Sequence, residues 1–228
     1  MAAQRKTRYE GIDLPRLTPK PNITELPEGQ FLDDQGYAGL ALSNQSMSDL
    51  NIDFLGIERS QFKQLSLSRT NFRRAQLDDV SFESCDLAQA EWEQLNMRRV
   101  EFTGSRLIGW VSYNSTFQHV IFRGCNLTGA QFTRLKSKNM RFEQCILRDV
   151  DFQQADLSGV VFERCDLSFA KMSEATLAGT DFRSSIIEGV RVGIKELQGA
   201  IVDTEQAVSI ARMLGLVVET AGAPRTQP

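Results

Sequence analysis

Leu157, Phe162, Leu167, Met172, Leu177 and Phe182 are apolar at every fifth residue, and no regular secondary structure has a period of five. A helix turns about 100° per residue, so a step of five lands about 140° away and the apolar stripe would wind around the cylinder. A strand alternates its faces, so a step of five would send successive apolar residues to opposite sides. Positions whose numbers end in 2 or 7, from Leu32 to Val202, make 35 sites, of which 33 are apolar; only Ser112 and Ser137 interrupt the series. The spacing therefore predicts a chain that turns after each five residues and returns one side chain inward per side, a solenoid.

Positions ending in 0 or 5 are mostly small, as at Ala75, Ala90, Ala130, Ala155, Ala170 and Ala175, and suit the corners of a narrow core. The stretches "CNLTG" at 125–129, "ADLSG" at 155–159 and "ATLAG" at 175–179 resemble pentapeptide repeats, the A(D/N)LxX family, and the resemblance extends over about three quarters of the chain. It implies an all-β solenoid, a right-handed quadrilateral β-helix with four pentapeptides per coil. A coil of 20 residues stacks positions 20 apart, and Phe82, Phe102, Phe122, Phe142, Phe162 and Phe182 then form an unbroken column. Leu87, Leu107, Leu127, Leu147, Leu167 and Ile187 form a second. Trp110 beside Ser112 predicts a trade of volume between a small site and a large one, and Leu135, Ser137 and Met140 repeat it.

Four of the six prolines, Pro15, Pro19, Pro21 and Pro27, precede the repeats, and none falls between residues 30 and 223, where backbone donors are needed in ladders. Residues 1–29 are predicted to be an extended N-terminal arm and 30–204 the β-helix. Residues 205–228 are predicted to hold a capping helix, a dimerisation segment and a tail. In that last part Ala207, Ile210, Ala211 and Leu214 follow helical spacing as the predicted buried face, Asp203 or Thr204 can cap, and Gly215 can terminate.

Chemistry-bearing constellations are absent from the sequence. Cys85, Cys125, Cys145 and Cys165 form no CxxC pair and share one inward column, as reduced packing residues do. His119 falls at an outward position with no nucleophile fixed beside it by the pattern. Asp86, Asp156 and Asp166 precede inward leucines, where the family resemblance implies local backbone contacts. "GSRLIGW" at 104–110 has glycines at P-loop spacing without the Lys-Ser/Thr that would follow. No catalytic residue, cofactor or metal is predicted. A net charge of −3 does not announce a nucleic-acid or membrane partner, and a cytoplasmic location is the expectation.

Function then falls to the surface. The reading put first is a non-catalytic protein-interaction solenoid, a scaffold or adaptor whose partner the sequence does not name. The resemblance, strongest to quinolone-resistance pentapeptide proteins in "LQGAIVDTEQAVSIARMLGLVV", implies an alternative: a DNA-mimicking binder of a type II topoisomerase such as DNA gyrase, protecting it from topoisomerase poisons. Charge argues against the mimic. Duplex DNA as long as a stack of about nine coils carries on the order of 25 negative charges, whereas residues 30–204 hold 23 acids and 19 bases. Residues 102–142 contain no acid. A basic patch is predicted halfway up the stack, with Arg98, Arg99, Lys136 and Lys138 on one side and Arg123 and Arg141 across the adjoining corner, either a solvated mixed surface or a dock for an acidic partner or nucleic acid. Leu216, Val217 and Val218, three apolar residues beyond the cap, predict a homodimer through the C-terminal end, as the resemblance also implies.

Overall fold

The computed structural model describes residues 11–17, 26 and 30–219. The remainder of the arm predicted over 1–29, and the tail from 220 onward, lie outside the described residues. The strands are β1 (Gly36–Ala38), β2 (Ala41–Ser43), β3 (Asn51–Asp53), β4 (Gly56–Lys63), β5 (Asn71–Arg73), β6 (Gln76–Glu83), β7 (Glu91–Glu93), β8 (Asn96–Thr103), β9 (Thr116–Arg123), β10 (Lys136–Glu143) and β11 (Val161–Glu163).

Every strand pair is parallel and every register advances by one coil: Gly36 pairs with Gly56, Gly56 with Gln76, Gln76 with Asn96, Asn96 with Thr116, and Thr116 with Lys136. One coil is therefore 20 residues, as the aromatic column predicts. Strands β1, β4, β6, β8, β9, β10 and β11 make one sheet, with β2 beside β4, and β3, β5 and β7 make another. Isolated bridges carry the same step onward, as at Asp86 to Arg106 and Asp166 to Ile186. The result is a four-sided parallel β-solenoid.

The turning device is a backbone conformation. Each of the 32 successive fifth positions from Asp34 to Gly189 has positive φ, and only eight of them are glycine. Residues as unsuited to the left-handed region as Phe54, Arg74 and Phe169 adopt it, at roughly 1–2 kcal/mol each. What offsets that cost is the ladder between coils. A corner N–H donates to the next coil, as from Gln64 to Glu83 O at 2.8 Å, and the N–H two residues on donates to the previous coil, as from Ser66 to Gln45 O at 2.9 Å. The left-handed corner is what allows consecutive sides to reach both neighbours.

Inside, the phenylalanine column stacks nearly parallel: Phe82 to Phe102 at 4.6 Å between centroids, Phe102 to Phe122 at 4.8 Å, Phe122 to Phe142 at 4.9 Å and Phe142 to Phe162 at 5.1 Å. Such offset-stacked pairs add about 0.5–1.5 kcal/mol to the burial of each ring. The predicted volume trade is present: Trp110 is fully buried and crosses Phe132 edge to face at 5.5 Å, while Ser112 beneath it donates to Ser115 Oγ at 2.9 Å.

At the C-terminus, α1 (Thr204–Met213) starts from Asp203, whose carboxylate accepts the Gln206 N–H while the Gln206 side chain accepts the Asp203 N–H. Gly215, at φ +87°, ends the helix. The buried face differs from the predicted one. Ala207 and Leu214 are exposed and Ile210 and Ala211 half-buried, whereas Gln206 is buried. Its amide donates to Phe182 O at 2.7 Å and Ser185 O at 2.6 Å. The group that closes the stack thus serves as a donor to main-chain carbonyls as well as a cover.

Candidate functional site

The predicted basic patch falls where sequence spacing puts it, but most of its charge is answered. Arg98 follows Asp78 by one coil and pairs with it. Arg99 makes two bonds to Asp79, from Nε and Nη2, both 2.6 Å. Arg123 lies between Glu101 at 2.9 Å and Glu143 at 3.1 Å. Arg141 binds Glu143 at 2.7 Å and also pairs with Glu163. Arg106, Arg123 and Arg141 of the acid-free stretch 102–142 are thus answered by acids of the coils before and after it. Lys136 and Lys138, exposed on β10, make no ion pair among the described residues. The same acid-to-arginine step recurs along the shaft, at Asp49 and Arg69 (2.7 Å), Asp53 and Arg73 (2.9 Å), and Asp86 and Arg106 (3.0 Å).

The C-terminal end is apolar and open. Leu216 is 61% and Val217 86% exposed, Val218 is half-buried, and none of the three adds a strand to the last coil. Ile186, Met213 and Val190 line a cleft of about 670 Å³ between that coil and α1, and Ile194 and Ile201 stand exposed at the same end of the stack.

A third surface escaped the sequence reading. Residues 11–17 lie along the corner column that contains Asp79, Arg99 and His119. The backbone N–H of Asp13 donates to His119 Nδ1 at 3.0 Å, and that of Arg16 to Asp79 Oδ1 at 2.7 Å. Under this strap Asp79 is only 7% exposed and Arg99 9%. Desolvation pushes the Asp79 carboxyl up, but the Arg99 bonds, the Arg16 N–H and the two guanidinium charges outweigh it, leaving the carboxyl below its ordinary value. No local period could have disclosed a contact 106 residues apart; the only hint was an imidazole at an outward position.

The cysteines are free, buried and stacked, and Ser105 and Ser185 continue their column by accepting the N–H groups of Cys85 and Cys165 at 3.0 and 2.9 Å. Burial pushes the Cys85 thiol up to about 11. Cys145, held between the sulfurs of Cys125 and Cys165, is also pushed up. At Cys85 and Cys145 the raised thiol is a poor nucleophile and a poor metal ligand, whereas the sulfur contact with Cys145 lowers Cys125 and Cys165. Among the described residues no cluster of His, Cys, Asp and Glu could hold a metal ion, and no helix is long and apolar enough to cross a membrane.

Comparison with known proteins bears on the repeats. The family description "Pentapeptide repeats (8 copies)" matches residues 113–149 and 145–183, and "Pentapeptide repeat region" matches 41–111. No curated protein matches the chain. Among solved structures, a trypsin-treated variant of QnrB1, titled a plasmid-mediated fluoroquinolone resistance protein, is 22% identical over 83% of this chain and 100% of its own, with a TM-score of 0.37. HetL, titled a pentapeptide repeat protein involved in heterocyst differentiation regulation in the cyanobacterium Nostoc, is 16% identical over 88% of this chain and 95% of its own, with a TM-score of 0.37. A pentapeptide repeat protein of the Arabidopsis thaliana thylakoid lumen is 21% identical over 49% of this chain and 71% of its own, with a TM-score of 0.32. With the two family descriptions spanning residues 41–183 almost without a break, and one 20-residue coil repeated through them, the chain belongs to the pentapeptide-repeat family.

Proposed function

We propose that the chain is a non-catalytic protein-interaction scaffold, a stiff shaft that joins a second copy of itself end to end through its C-terminus. The observation that carries this reading is the apolar end: Ile194, Ile201, Met213, Leu214, Leu216 and Val217 are all exposed there, beside an apolar cleft. Contiguous apolar surface of this kind marks an interface in a water-soluble protein. The two-fold rod so formed leaves the sides of both shafts free for other partners.

The DNA-mimicking alternative asks for a stripe of unanswered acids along one side. Asp49, Asp53, Asp78, Asp79 and Asp86 are each held by an arginine one coil on, which favours the scaffold. A supercoiling assay with purified gyrase separates the two: inhibition or drug protection at micromolar protein would restore the mimic.

Light scattering tests the scaffold's dimer. The intact chain is expected at twice its 25.6 kDa mass, and Leu216→Asp with Val218→Asp is expected to return it to the single-chain value. An intact chain that stays at 25.6 kDa at high concentration overturns the end-to-end contact.

A further inference from the structure

The strap of residues 11–17 crosses the corner with a regular geometry. Asp79 and His119 lie two coils apart with Arg99 between them, since their neighbours Asp78, Arg98 and Gln118 pair in that order. Asp13 and Arg16, which meet His119 and Asp79, are three residues apart. An extended chain rises about 3.3 Å per residue and stacked strands lie about 4.8 Å apart, so three residues and two coils both cover about 10 Å. An extended segment running along the stack therefore brings every third N–H over a corner side chain. Ile12, Leu14 and Leu17 settle half-buried on either side, and Arg16 points to solvent.

Charge agrees with this register. The Asp13 charge acts on Arg99 and the Arg16 charge on Asp79, while Asp13 Oδ2 stands 3.8 Å from His119 Nε2. What the corner reads is a main-chain N–H at two points, an acid, and a base three residues later. None of these requires that the segment be covalently joined to the solenoid.

We propose that the Asp79–Arg99–His119 corner is a docking groove for an extended partner peptide carrying an acid, a base three residues on, and apolar residues around them. Residues 11–17 fill it in the isolated chain as a displaceable internal ligand. The proposal rests on the scaffold reading and adds to it a second surface, on the side of the shaft, together with the chemistry of what binds there. A tethered strap competes at an effective concentration of order mM, so a free peptide enters easily only where the strap is weakened.

The test uses the full chain and a fluorescein-labelled peptide of sequence Gly-Ile-Asp-Leu-Pro-Arg-Leu, followed by anisotropy. Two loosened chains are compared with the intact one: Asp13→Lys with Arg16→Glu, which reverses the strap's charges, and Ile12→Ser with Leu14→Ser, which removes its apolar grip. Both are expected to keep the thermal unfolding of a folded solenoid and to bind the peptide at least about ten-fold more tightly than the intact chain, by freeing the groove. The same peptide N-methylated at the residues matching Asp13 and Arg16 lacks the two donors and is expected not to bind. Absence of saturable binding to both loosened chains, or binding indifferent to N-methylation, overturns the proposal and makes the strap a fixed part of the fold. Light scattering reads the C-terminal contact separately, so that failure would leave the dimer standing.

Discussion

Asp79 and Arg99, one coil apart and both at left-handed corners, close a two-bond ion pair whose two distances are 2.6 Å and whose outer side is covered by the strap. Because its folded carboxyl titrates below the ordinary value of about 3.9, the pair contributes fully above that pH, and the contribution is lost as pH falls through the lower folded value. Asp79→Asn is expected to lower stability at pH 7 by about 1–3 kcal/mol and to flatten the acid limb of the stability curve below pH ~4. Urea unfolding from pH 7 down to pH 2 checks both; an unchanged acid limb would show that the pair does not couple to folding.

Phe142 stacks on Phe122 and Phe162 and meets Phe132 and Phe152 edge to face. Phe142→Ala should cost about 3–5 kcal/mol, since the backbone ladder above and below holds the coils apart and keeps the cavity from closing. A loss under about 1 kcal/mol in chemical denaturation would mean that the column stacks without supporting the fold.

Gly189 has φ +65°, and a Cβ there would lie 2.6 Å from the Phe169 ring. Gly189→Ala combines a left-handed backbone cost of about 1–2 kcal/mol with that clash. Adding Phe169→Ala should recover the steric part and leave the backbone part. The two components separate in a double-mutant cycle read by thermal unfolding, and strictly additive effects would deny the contact.

Lys136 and Lys138 are the cations of the predicted patch left outside its ion pairs among the described residues. If the patch docks an acidic partner, binding to a polyglutamate surface should weaken steeply between 50 and 200 mM salt and vanish on Lys136→Glu with Lys138→Glu. Surface plasmon resonance at several salt concentrations decides it, and salt-independent binding would point to another surface.

The period of five disclosed the coil, the columns and the place of Trp110 because those depend on which side chains face inward, and inward sites tolerate little but apolar volume. The corners left no such mark. Glycine gathers at the corners, at eight of the 32, but Arg, Gln, Phe, Ser and Glu take the same positive φ at others, since the ladder imposes it whatever the residue type. The helix boundary was legible from Asp203 and Gly215, but its buried face was not, because pattern reading looks for apolar cover and the end of this stack needs an amide donor. The strap was illegible for a third reason. Its contacts join residues with no shared period and depend on a three-to-two match between an extended chain and a pile of coils.

The 20-residue coil also sets what insertions and deletions can do. Duplicating a whole coil would lengthen the shaft by one storey and keep every column aligned. Removing a single pentapeptide would leave each remaining side chain inward or outward as before, yet rotate all the later sides by a quarter turn. If the missing unit lay between them, Asp78 would no longer look across at Arg98, while a pair wholly on one side of the cut, such as Glu101 and Arg123, would stay in place and the core would still be filled. Two kinds of information are thus written on one chain at different periods: five residues specify that it folds, and twenty specify which of its faces meet.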